Sequence, residues 1–150
     1  MSQVRLQLTL LIPFLLLIVL PAVLTDRRRR PAIDRLLREP NRISGRAIAL
    51  ATAAKPSDAL AVGASAVQRL GGRAIRTYAG QAVIGWKGDM WTNIPRRAQY
   101  QYVVLVRPRD DGGADVACCA RPRFVMNFLC EAYAGTLTSE LAAVLREQLT

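Results

Sequence analysis

The sequence predicts an α+β fold: one N-terminal transmembrane helix, then a small domain with helices packed on one face of a four-stranded antiparallel sheet, in the order α-β-β-β-β-α. Three observations carry this. An uncharged apolar run, "LQLTLLIPFLLLIVLPAVL", fills Leu6 to Leu24. Alternating apolar patterns recur between Arg73 and Arg121, separated by glycine-bearing turns. Apolar stripes at helical spacing stand before and after those patterns. Of the 150 residues, 1–25 read as the anchor, 26–56 as a basic juxtamembrane linker and 57–150 as the small domain.

At 1.5 Å per residue the apolar run makes a helix of about 28 Å, close to the roughly 30 Å of bilayer hydrocarbon. Pro13 lies inside it, which a membrane helix tolerates. The competing reading is a secretory signal peptide, with an exported or periplasmic binding domain behind it. A signal has a shorter apolar stretch and small residues before the cut; here "AVLTD" offers a poor cleavage site. Arg5 alone precedes the run, whereas Arg27, Arg28, Arg29 and Arg30 follow it directly, with Arg35 and Arg38 behind. The positive-inside rule then places the domain in the cytoplasm of a single-pass inner-membrane protein.

The net charge of +10 is concentrated beside the run: residues 26–55 hold nine basic and three acidic side chains, residues 56–150 eleven and eight. Arg27 to Arg30 are therefore assigned to lipid headgroups. Nucleic acid is disfavoured as a partner, because no aromatic residues interleave the arginines and no nucleic-acid module follows.

The remaining elements follow in order. "PAIDRLLREP", residues 31–40, makes a short amphipathic helix with Ile33, Leu36 and Leu37 on one face; a bilayer-lying face and a plain linker fit it equally. "AIALATAA" fits a strand or a weak helix. Ser57 and Asp58 start a helix over 58–70, with Leu60, Ala64, Val67 and Leu70 at helical spacing and Gly71-Gly72 as its stop. Ala79-Gly80 separates strands at 73–78 and 81–87. After a loop over 88–97 come a strand at 98–107, the turn "DDGG", and a strand at about 114–121. Thr138 caps a last helix with Leu141, Val144, Leu145 and Leu149 on its apolar face.

The absence of histidine excludes His-based acid/base catalysis, Ser-His-Asp triads and His metal ligation. No glycine spacing matches a P-loop or dinucleotide fingerprint, so no cofactor is expected, and the reading leans away from an enzyme. Cys118 and Cys119 point to opposite faces of a strand and should not converge with Cys130 on a metal. Asp110, Asp111 and Asp115 read as turn chemistry. A thiol-dependent sensor or enzyme at Cys119, with Arg121 on the same strand face as stabiliser, is the enzymatic alternative.

Two segments are unusually apolar. "RPRFVMNFLCEAY", residues 121–133, is greasy on nearly every side as a helix, and the loop "GDMWTNIP" groups Met90, Trp91 and Ile94. With Phe124, Phe128 and Leu129 these form one candidate partner surface, provided the two segments are neighbours in space. The whole points to a non-enzymatic interaction or assembly protein whose cytoplasmic domain binds a membrane or membrane-proximal protein, or the inner membrane surface.

Overall fold

The computed structural model describes residues 47–92, 94–123 and 128–150. The anchor, Arg27 to Arg30 and the 31–40 helix lie outside the described residues, as do Phe124 and the side chain of Phe128. Among the described residues, no helix is long and apolar enough to cross a membrane. The chain forms β1 (Ile48–Thr52), α1 (Pro56–Arg69), β2 (Arg73–Tyr78), β3 (Ala82–Lys87), β4 (Tyr100–Pro108), β5 (Ala114–Pro122) and α2 (Phe128–Leu149). The fold is α+β, with a five-stranded sheet in the order β1-β5-β4-β3-β2 and every neighbouring pair antiparallel.

The sheet therefore has five strands where the sequence predicts four. The added strand comes from the segment whose pattern fits strand or helix equally. Its alanines carry no strand preference of their own; the free edge of β5 decides, pairing Ile48 with Cys118 through Thr52 with Ala114. Ile48 and Leu50 then pack on the core while Ala49 and Ala51 face away. The Thr52 hydroxyl donates to the Leu149 carbonyl at 3.0 Å, tying the end of β1 to the last turn of α2.

Helix α1 has Pro56 in its first turn, where a missing N–H costs nothing. The Lys55 carbonyl accepts the amides of Asp58 and Ala59. At the other end the Gly72 amide donates to the Val67 carbonyl at 2.8 Å, with Gly71 at φ +83, a turn that only glycine adopts freely. The β2–β3 hairpin turns through Ala79 and Gly80, both at positive φ, as the right-handed strand twist requires.

The last helix differs most from expectation. It runs unbroken from Phe128, and Thr138 lies within it, 1% exposed, rather than capping it. The Thr138 hydroxyl donates to the Ala134 carbonyl one turn back at 2.8 Å and accepts the Ala120 amide of β5 at 2.9 Å. A side chain that reads as a cap in sequence is thus a cross-link between helix and sheet. Among the described residues, β1 pairs no further along β5 than Cys118, and the Ala120 amide finds its acceptor in this hydroxyl.

Both helices cover one face. Gly63 of α1 sits against Val104 and Val83, and α2 bonds Ala120, which shares that face through the Tyr102–Ala120 register. Tyr100, Tyr102, Val104 and Val106 join Val116, Cys118, Leu137, Leu141 and Leu145 in this core. On the opposite face Ile84, Val103, Leu105 and Cys119 are buried as well, so β4 is covered on both sides from Tyr100 to Val106.

Candidate interaction surface

β3 ends at Lys87, opposite the first residue of β4, Tyr100, which in turn faces Pro122 at the end of β5. The loop between β3 and β4 is held at this end of the sheet by its own backbone. The Asp89 amide donates to the Arg97 carbonyl at 2.7 Å and the Ala98 amide to the Ile94 carbonyl at 2.7 Å. Gly88, at φ +91, lies so close to the Ala98 carbonyl that no side chain fits there. The Asp89 carboxylate accepts the Trp91 amide at 3.0 Å.

Tyr100 joins this loop to the start of α2. Its hydroxyl donates to the Pro95 carbonyl at 2.7 Å, and its ring meets Tyr133 edge-on at 5.5 Å between centroids. Burial pushes the Tyr100 hydroxyl well above its ordinary pKa, with Cys130 alongside adding to the shift. It stays protonated and keeps donating. Arg123 straps the exit of β5 to the same place: its amide reaches the Gln99 carbonyl at 2.8 Å and its guanidinium reaches Gln99 Oε1 at 2.6 Å and lies 5.9 Å from the Trp86 ring.

Tyr100 thus touches the loop at Pro95 and α2 at Tyr133; the 124–127 part of the predicted surface lies outside the described residues. Trp91 is 85% exposed, Ile94 55% and Leu129 51%. Met90 is half-buried, and Arg96 and Arg97 are exposed between the apolar groups and the strand. The surface is an apolar tip with a basic flank.

The thiols are placed differently. Cys118, Cys119 and Cys130 are all buried, the first two on opposite sheet faces. Burial pushes the Cys118 thiol up to about 12. Burial also raises Cys119, and Arg121 beside it only partly opposes the shift. A buried, protonated thiol is a poor nucleophile. Among the described residues no cluster of acidic or thiol side chains could hold a metal ion.

One feature escaped sequence reasoning. A pocket of about 250 Å³ opens on the face of the β2–β3 hairpin opposite α1, lined by Ala74, Arg76, Tyr78, Ile84 and Trp86. Its signal was cross-strand register, Arg76 opposite Ile84 and Tyr78 opposite Ala82, which sequence patterning alone leaves open.

Fold and surface together define a small α+β domain whose basic end carries exposed apolar side chains. No protein-family model and no curated protein matches this chain.

Proposed function

We propose that the chain is a single-pass, membrane-anchored, non-enzymatic interaction protein whose α+β domain lies in the cytoplasm and binds a membrane-proximal protein or the inner membrane surface. The observation that supports this best is Trp91: an indole 85% exposed on a loop pinned by its own hydrogen bonds. Leaving so much apolar surface in water is unfavourable by about 25 cal/mol per Å². An ordered, exposed tryptophan is the kind of anchor that binding surfaces of both protein and lipid use. The charge asymmetry across Leu6 to Leu24 supports the orientation.

The test is a pair of reporter fusions, active only in the cytoplasm or only outside it, joined after Thr150 of the full chain. Cytoplasmic activity is expected. Recovery of a mature form trimmed near Thr25 in the external medium would overturn the proposal in favour of the exported alternative. Crosslinking in native membranes then identifies what Trp91 touches.

A further inference from the structure

We infer that the end of the domain bearing Trp91, Ile94 and Leu129 docks onto the anionic leaflet to which the chain is anchored, with Arg96 and Arg97 on lipid phosphates. This rests on the anchored, cytoplasmic reading above. Three independent observations converge on it.

The first is topological. β1 runs away from this end, from Ile48 opposite Cys118 to Thr52 opposite Ala114, so its first residue is the one nearer the tip. The segment arriving at β1 is the one that follows the apolar run. The second is electrostatic. Lys87, Arg96, Arg97 and Arg123 stand at the tip end against Asp89 and Glu131, whereas Asp58, Asp110, Asp111 and Asp115 stand at the far end against Lys55, Arg107 and Arg109. An anionic surface attracts the first end more strongly than the second. The third is chemical: an exposed tryptophan flanked by aliphatic and guanidinium groups matches headgroup depth, where the indole meets hydrocarbon and the arginines meet phosphate.

Tethering makes a weak contact sufficient. A second contact made by a chain already held at the leaflet is intramolecular, with an effective concentration that reaches the millimolar range. A patch with only millimolar affinity for the leaflet is then substantially occupied.

The experiment uses the full chain with Trp86→Phe, so that Trp91 is its sole tryptophan, reconstituted in vesicles of equal phosphatidylcholine and phosphatidylglycerol with brominated acyl chains. Trp91 emission is expected to be blue-shifted and quenched, with quenching largely lost in phosphatidylcholine alone. Arg96→Gln with Arg97→Gln should move the docking equilibrium roughly 30-fold toward release, from about 1 kcal/mol for each guanidinium at an anionic surface. A chain that stays in alkali-washed vesicles with water-like, unquenched Trp91 overturns the docking and leaves the anchor standing. A chain that washes out overturns both. Equal quenching in the two lipids overturns the electrostatic component.

Discussion

Thr138→Val removes one hydroxyl at nearly constant shape and tests how the helix is joined to the sheet. The Thr138 hydroxyl is the acceptor for the Ala120 amide at 2.9 Å, inside a core where Thr138 is 1% and Ala120 5% exposed. Without it, among the described residues, no β1 residue stands opposite the amide, because β1 ends its pairing at Cys118. An unsatisfied buried donor costs about 1–3 kcal/mol; the added methyl returns up to about 0.8 kcal/mol. The net loss should be about 0.2–2 kcal/mol, a fall in Tm of up to roughly 16 °C for a domain of this size. Thr138→Ser keeps the hydroxyl and loses a methyl, so it also costs about 1 kcal/mol; equilibrium unfolding alone does not separate the two. Hydrogen exchange does. The Ala120 amide should exchange about tenfold faster in the valine variant, the equivalent of 1.4 kcal/mol, beyond any global change, and keep its protection in the serine variant. A valine variant within about 0.5 kcal/mol of the parent, the range of changes that touch no such feature, with Ala120 still protected, would refute the cross-link.

Gly88→Ala forces a side chain into positive φ and against the Ala98 carbonyl; it should cost at least about 1–3 kcal/mol in urea unfolding, and a change within about 0.5 kcal/mol would contradict the close approach. Cys118 and Cys119 should resist iodoacetamide at neutral pH in the folded chain and react once urea unfolds it; ready labelling of Cys119 would restore the thiol hypothesis. Burial raises Cys118 from 9.0 to about 12 and Tyr102 from 10.0 to about 12, so the fold keeps protons that the unfolded chain loses. Stability should be full below pH 9 and decline as pH rises toward 12, from pH 9.0 for Cys118 and pH 10.0 for Tyr102, by at most about 1.4 kcal/mol per pH unit for each group; a flat urea midpoint over that window would contradict it. Arg69→Ala breaks the 3.0 Å pair with Glu147, but both side chains are more than half exposed, so urea unfolding should register no more than about 0.5 kcal/mol.

How much was legible in the sequence depended on whether the deciding signal was local. Ala79-Gly80 and the glycine turn at 112–113 mark their hairpins within a few residues, and β2 to β5 stand close to where alternation puts them. β1 was ambiguous because its identity is supplied by β5, far along the chain. The start of α2 was misjudged because Thr138 has the chemistry of a cap, and its partner Ala120 lies on another element. The surface was half legible. Trp91 and Ile94 stand out as apolar residues in a loop, but the link of that loop to α2 runs through Tyr100, which bridges Pro95 and Tyr133, a junction no periodicity encodes. Alternation predicted opposite faces for Cys118 and Cys119 correctly; the depth of their burial follows from β5 lying between two other strands.

The pairing of β1 with β5 alone has a consequence for synthesis. The first strand of the described residues must wait for the fifth, since no strand made in between is its partner in the finished sheet. Until Pro122 has emerged, "IALAT" is an apolar ribbon with unmet backbone groups. Closure of the sheet is thus a late, long-range event, slow by the standards of the hairpin at Ala79-Gly80.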